Sequence, residues 1–276
     1  MLRRRAERMH DERLDLSRPI VWDCEEERLA AIKFFNAAYR AEESGLKQAH
    51  ALAEELRATD PELADCLVLY GNEEGWHREL LVEFLAYLGG EIRPMGRVTG
   101  TFYRLYGRAE RMDSIVLSNL MFETIGSTTY RLALRRARHP AVKQMLTILT
   151  RDESFHVPLN VHFLRRVLAR TPDGRARLRR LYHLLYVALL ASAAASRRRA
   201  QRFDLIPFPV LARAYGEQLG RLFVQEPDLG LAPSRIVLRA LGLRRADLAH
   251  GDGPSIVSPE AAEAAANRAH VVVSAL

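Results

Sequence analysis

The chain has 276 residues, 48% of them hydrophobic, which is enough for one large core or for a domain with a sizeable extension. Its formal net charge is +7, and this arginine-rich excess fits either a high-GC genome or a basic surface for an acidic carrier, a nucleic acid or a lipid head group. The two cysteines, Cys24 and Cys66, form no Cys-x-x-Cys pair. Their spacing argues against a rubredoxin-type iron site, an iron–sulfur cluster and a structural zinc knuckle, and is typical of a reducing cytoplasm.

The chain begins with a charged arm. Residues 1–24 show no clear periodicity, and the start Met1-Leu2-Arg3-Arg4-Arg5 is followed by no apolar stretch. We therefore expect no signal peptide and a cytoplasmic protein. The longest apolar run, from Leu181 to Ala195, contains His183 and is too short to span a bilayer.

Two long helices are predicted next. Residues 25–57 carry apolar side chains at helical spacing, which indicates the first helix. A second helix is expected to begin at Asp60-Pro61, because aspartate is a good N-cap and proline suits the first turn, and to end at Gly89-Gly90. Residues 91–110 then form a connector that is too long for a tight hairpin but fits the single long crossover of some four-helix bundles.

A second pair of helices follows, at about residues 111–138 and 141–169, and Pro158 predicts a kink in the later one. Beyond a turn at residues 171–174, the pattern favours two further helices and a short one, at about 175–201, 208–226 and 233–242. The predicted organisation is a charged arm (1–24), a four-helix bundle (25–170), a C-terminal helical extension (171–250) and a weakly structured tail (251–276).

The first C-terminal helix is apolar nearly all round over residues 181–190, which predicts that it is buried. Arginines flank this segment on both sides. They fit the snorkelling ends of a buried helix, or a docking surface for an acidic carrier or a membrane. The extra helices could also wall a substrate channel or form a homodimer face. The flanking residues are Arg177, Arg179, Arg180, Arg197, Arg198, Arg199 and Arg202.

Two short motifs point to metal chemistry: Glu74-Gly75-Trp76-His77 and Glu153-Ser154-Phe155-His156. Each places a carboxylate and an imidazole one turn apart on one helix face. With 22 glutamates and 9 histidines, about 0.7 Glu-x-x-His matches are expected by chance. A third match, Glu7-Arg8-Met9-His10, lies in the arm without an apolar stripe, so we treat it as the chance occurrence. The other two lie on apolar stripes, where an unpartnered charge is costly and a bound cation supplies a reason for it.

Two further glutamates complete the donor set. Glu123 lies in a strongly apolar helix between the two motifs, where a metal would offset the cost of its burial. Before the first motif the choice is between Glu42 and Glu43. Glu42 falls nearer the centre of its apolar stripe and has the small Gly45 one turn later, whereas Glu43 lies off the stripe edge by about 70°. We therefore prefer Glu42. A metal-free bundle with buried salt bridges remains the alternative.

The order Glu, Glu-x-x-His, Glu, Glu-x-x-His resembles the ferritin-like di-iron carboxylate superfamily over about residues 28–168. The resemblance implies an all-α fold, a ferritin-like four-helix bundle with one long crossover, here followed by C-terminal helices. It also implies two iron ions, with manganese or a mixed pair as alternatives, since carboxylate and imidazole donors suit these metals. One ion would be held mainly by Glu42, Glu74 and His77, and the other mainly by Glu123, Glu153 and His156, with Glu74 and Glu153 as bridges.

The acid before each motif sharpens the resemblance. Glu73-Glu74 and Asp152-Glu153 look like the paired motifs of soluble acyl-carrier desaturases and related oxygenases. The resemblance implies that Asp152 orients His77 and that Glu73 orients His156, as carboxylates beside metal-bound histidines do. The alternative is that both acids are solvated helix-edge charges.

Two tyrosines lie one turn from expected ligands. Tyr39 precedes Glu42 and Tyr70 precedes Glu74 by about one helical turn. They could be redox-active or hydrogen-bond a ligand, but they could also simply pack in the core.

These features predict a di-iron oxygenase or oxidase that activates dioxygen to oxidise an organic substrate. Because the chain has no flavin or nicotinamide fingerprint, its electrons are expected from a separate donor of the ferredoxin or flavin-reductase type. One alternative is a peroxide-reducing or iron-handling protein of the rubrerythrin type. Another is a tRNA-modifying di-iron hydroxylase, which the basic composition allows, although no RNA-binding module is present.

Overall fold

The computed structural model describes residues 2–11, 13–94, 96, 100–101, 111–170, 174–231 and 234–249. In these ranges all regular secondary structure is helical, so the predicted all-α class is confirmed and its helices fit a bundle. None of the helices in these ranges has the length and hydropathy of a membrane span. The chain divides into two compact units. The first is Met1–Gly107, Ala137–Met145 and Arg198–Leu205, and the second is Arg108–Arg136, Leu146–Arg197 and Ile206–Leu276.

An antiparallel helix pair forms the body of the first unit. Helix α2 (Glu25–Leu56) and helix α3 (Pro61–Tyr87) pack together along their length. Ile32 lies beside Gly90 at one end of the pair, and Gly45 lies beside Glu74 near its middle. This register brings residue 42 of α2 opposite the Glu-x-x-His motif of α3.

The ends of α3 follow the signals in the sequence. The Asp60 carboxylate accepts a hydrogen bond from the Leu63 backbone N–H at 3.3 Å, with Pro61 in the first turn. At the other end Gly89 adopts φ +68°, a conformation that favours glycine, and the Gly90 N–H donates to the Leu85 carbonyl at 2.9 Å. The predicted N-cap and glycine stop are thereby confirmed.

The N-terminal arm contains structure that the sequence pattern did not predict. Helix α1 (Leu2–Arg8) and a 3₁₀ turn (Met9–Asp11) precede α2, and α1 packs on α3. Leu2 and Leu14 are buried. A helix of seven residues is too short to be stable by itself or to show a period, so it forms here through these tertiary contacts.

The second unit is built from α4 (Met112–Leu134), most of α5 (Pro140–Arg170), most of α6 (Arg175–Asp204) and α7 (Phe208–Gln225), followed by two short helices, α8 (Arg235–Ala240) and α9 (Arg245–Ala249). Helix α7 packs against α4 and α9. The Thr129 and Tyr215 hydroxyls share a hydrogen bond of 2.6 Å between α4 and α7, and Arg177 of α6 bonds Asp113 at the start of α4.

Several boundaries differ from the prediction. Helix α4 ends at Leu134, four residues earlier than expected, while α5 continues through Pro158; the kink there stays a prediction. Helix α9 was not predicted. Most of the predicted connector at 91–110, residues 171–173 of the predicted turn, and the tail at 251–276 lie outside the described residues.

The expectation that α6 is buried all round is wrong. Its buried face is formed by Leu178, Tyr182, Tyr186 and Leu189, whereas Leu184 and Val187 are 69% and 63% exposed. At 3.6 residues per turn, Leu184 and Val187 lie on the side of the helix opposite Tyr182 and Tyr186. When apolar residues lie on every side of a helix, the sequence does not show which side packs in the core. The side that carries the tyrosines has packing partners, and this determines which residues are buried.

Replacing the N-cap of α3 tests the helix start. Asp60→Ala removes a buried carboxylate that caps the helix, and we expect a loss of about 1 kcal/mol in the free energy of unfolding, measured by urea denaturation. Asp65→Ala, an exposed acid on the same helix, is the matched control and should change stability by less than about 0.5 kcal/mol. Equal effects of the two variants would show that the cap contributes nothing.

Candidate metal centre

The first unit brings three predicted ligands together. Glu74 and His77 lie three residues apart on one face of α3, and the antiparallel register places Glu42 of α2 against them. All three are buried. One donor atom of each lies within 4.8 Å of the other two, and His77 Nδ1 is 3.2 Å from a Glu42 oxygen. We call these residues the first triad.

The structure places Glu42, and not Glu43, in this triad. The Glu43 side chain is partly exposed and pairs with Arg40 at 2.7 Å and with Lys47 at 3.5 Å. Although partial burial opposes ionisation, these two cations hold the pKa of Glu43 below its usual value. Glu43 is thus a surface carboxylate satisfied by its own helix.

Gly45 leaves room for the Glu74 carboxylate. A Cβ added at Gly45 would lie 2.9 Å from Glu74 Oε2 and 3.1 Å from its Cδ, closer than non-bonded carbon and oxygen atoms normally approach. A side chain at position 45 would therefore require the Glu74 carboxylate to shift. Because glycine has no side chain, position 45 leaves space for the carboxylate of Glu74, one of the predicted ligands.

The second unit repeats the arrangement. Glu153 and His156 lie on one face of α5, and α4 supplies Glu123; this is the second triad. All three are buried. His156 Nδ1 is 3.6 Å from an oxygen of Glu153 and 3.7 Å from an oxygen of Glu123.

These spacings suit a cation. Donors about 2.1 Å from one ion are separated by about 3.0 Å when adjacent and by about 4.2 Å when opposite. The nitrogen–oxygen distances of both triads fall in this range. His156 Nδ1 thus lies near two carboxylates at distances that a shared ion would span. Each triad is therefore a buried acid and histidine group that can hold a metal ion.

The acids preceding the motifs are not solvated. Glu73 and Asp152 are both buried, which rules out the helix-edge alternative. Asp152 accepts two hydrogen bonds from the neighbouring Arg151, at 2.7 and 2.9 Å. A carboxylate oxygen of Glu73 lies within 4.8 Å of a ring nitrogen of His77 in the same unit. Orientation of His77 by Asp152 and of His156 by Glu73 stays a prediction.

The two tyrosines are core residues. Tyr70 is fully buried and Tyr39 nearly so, and the guanidinium of Arg40 lies 5.2 Å from the Tyr39 ring centroid. Their redox role stays a prediction.

Sequence reasoning missed two arginines that contact the acids beside the motifs. Arg151 is adjacent to its partner and could have been noticed, whereas Arg5 is 68 residues from Glu73 and left no signal.

Comparison of the chain with protein-family profiles, with curated proteins and with solved structures found no match.

Two glycine substitutions test whether the space at position 45 is needed for the Glu74 carboxylate. Gly45→Ala should displace the Glu74 carboxylate, because the new Cβ would lie 2.9 Å from Glu74 Oε2, and should weaken cobalt(II) binding about tenfold or more. Gly75→Ala is the control within the same motif, because its new Cβ would meet only Leu46 at an ordinary 3.6 Å. It should leave the affinity unchanged and slightly stabilise the helix. Isothermal titration of both variants gives the comparison; unchanged cobalt binding in Gly45→Ala would contradict the account.

Proposed function

We propose that the two triads together hold a pair of iron ions and that the protein is a di-iron carboxylate oxygenase or oxidase. The observation that carries the proposal is the repetition of one donor set. A glutamate from one helix and a Glu-x-x-His face from the next are buried together twice, in two separate units. A single buried ion pair would not require the same set of donor residues to occur twice, with the same residue types each time.

The donor set supports iron, with manganese or a mixed pair as the alternative. Four carboxylates and two imidazoles are hard and borderline ligands that suit iron(II) and manganese(II) better than soft metals. Glu74 and Glu153, one from each triad, would be among the carboxylates that hold the ions. In the reduced state, such a pair of metal ions would activate dioxygen for the oxidation of an organic substrate.

The protein's own residues supply binding and shelter. The carboxylates and imidazoles would fix the ions, and buried aromatic side chains lie next to both histidines. Trp76 is buried with its ring 5.4 Å from the His77 ring, and Phe155 is buried with its ring 6.4 Å from the His156 ring. Electrons are proposed to come from a separate ferredoxin or flavin reductase, which the exposed basic residues of α6 could meet.

Metal analysis of histidine variants tests the assignment. Wild-type protein loaded anaerobically should hold two iron(II) ions per chain after desalting. His77→Ala and His156→Ala should each lose dinuclear loading, because each removes one of the three donors in a triad, while the helical circular dichroism remains. His50→Ala removes an exposed histidine of α2 that hydrogen-bonds the Asn72 amide and should still hold two ions. Two ions in both triad variants would refute the assignment.

Turnover distinguishes the proposed enzyme from its alternatives. The iron-loaded protein, with a reductase and NADH, should consume dioxygen faster when a substrate mixture of fatty acyl, amine and aldehyde compounds is added, and a product should gain oxygen or lose hydrogen. Reduction of hydrogen peroxide without any organic requirement would favour the rubrerythrin-type function. A modified nucleoside formed only when tRNA is present would favour the tRNA hydroxylase.

A further inference from the structure

A buried carboxylate stands beside the first triad without belonging to it. Glu73 precedes Glu74 on α3 and is only 4% exposed. One of its oxygens lies within 4.8 Å of a ring nitrogen of His77. A carboxylate at this position can accept a hydrogen bond from an imidazole whose other nitrogen binds a metal. It can do so reliably only when its own orientation is fixed.

Arg5 fixes that orientation. Its Nε donates to Glu73 Oε2 at 3.2 Å, and its Nη2 donates to Glu73 Oε1. Two N–H groups of one guanidinium therefore hold both oxygens of one carboxylate. This forked pairing restricts rotation of the carboxylate, which a single point charge would leave free. The Arg5 side chain is itself only 20% exposed.

The helix that carries Arg5 is held in place by other contacts. Helix α1 packs on α3, and Leu2 is buried. Downstream, the Gln144 amide donates to the Arg13 carbonyl and accepts from the Asp15 N–H, both at 2.8 Å. These contacts do not involve the Arg5 guanidinium. Loss of that group should therefore remove the fork without releasing the arm.

We propose that Arg5 is a positioning residue of the metal centre. The N-terminal helix delivers its guanidinium to Glu73, Glu73 is held beside His77, and the imidazole is thereby kept in the orientation that binds the ion of the first triad. The inference rests on the proposed metal function. It makes the arm, which carries no part of the Glu-x-x-His pattern, a component of the site.

A purely structural role for the ion pair makes a different prediction. If Arg5 only attaches α1 to α3, its removal lowers the free energy of unfolding and leaves a bound metal unchanged. If it positions Glu73, its removal weakens the metal and alters the ligand field. Loss of a carboxylate that orients a metal-bound histidine typically costs about 10- to 100-fold in affinity.

The experiment is a cobalt(II) titration of the full chain, with affinity measured by competition against a chromophoric chelator and with the d–d spectrum recorded at saturation. Arg5→Ala should weaken cobalt binding about 10- to 100-fold and shift the d–d bands. Arg5→Lys, which keeps the charge but not the fork, should recover only part of the affinity. Arg3→Ala changes an exposed arginine of the same helix and should match wild type.

Glu73→Gln and the double variant complete the test. The double variant with Arg5→Ala should bind cobalt no more weakly than Glu73→Gln alone, because both changes remove one linkage. Wild-type affinity and spectrum in Arg5→Ala, with or without lost stability, would overturn the positioning role while leaving the metal centre intact. Failure of the wild-type protein to bind cobalt would overturn the proposed function and this inference together.

Discussion

Desolvation of carboxylates is the constraint on which the interior of this chain depends. A buried carboxylate costs several kcal/mol unless hydrogen bonds or a cation offset the loss of water. Several buried acids are satisfied by arginine: Asp113 by Arg177, and Asp152 by Arg151. In the two triads the carboxylates lie close to a histidine. An imidazole can share a metal ion with these carboxylates, which a guanidinium cannot do.

Helix geometry brings the buried carboxylates and histidines of each triad together. The three-residue spacing of glutamate and histidine puts both on one face of α3, and the antiparallel register of α2 supplies the third donor. In that register a Cβ at position 45 would lie 2.9 Å from Glu74 Oε2, so a side chain there would displace the Glu74 carboxylate. The second unit achieves the same result with α4 and α5. A site assembled from long helices inherits their rigidity, which fixes the donors before a ligand arrives.

Local signals in the sequence were sufficient for most of the fold. Asp60-Pro61 and Gly89 marked the ends of α3 because capping chemistry depends only on neighbouring residues. Burial of the predicted ligands followed from their position on apolar stripes. Helix α1 was missed because seven arginine-rich residues have no period. The exposed face of α6 was missed because an apolar sequence on all sides does not reveal which side has a partner. Arg5 could not be connected to Glu73 because only tertiary structure brings residues 68 positions apart together.

The central proposal is that the two triads hold one pair of iron ions. Mössbauer spectroscopy of protein loaded with ⁵⁷Fe and then oxidised tests it most directly, because iron ions that share carboxylate bridges are magnetically coupled. The account predicts two irons per chain with a coupled, diamagnetic ground state. Two uncoupled ferric ions would mean that each triad binds metal separately. Iron that is absent or held by only one triad would contradict the claim altogether.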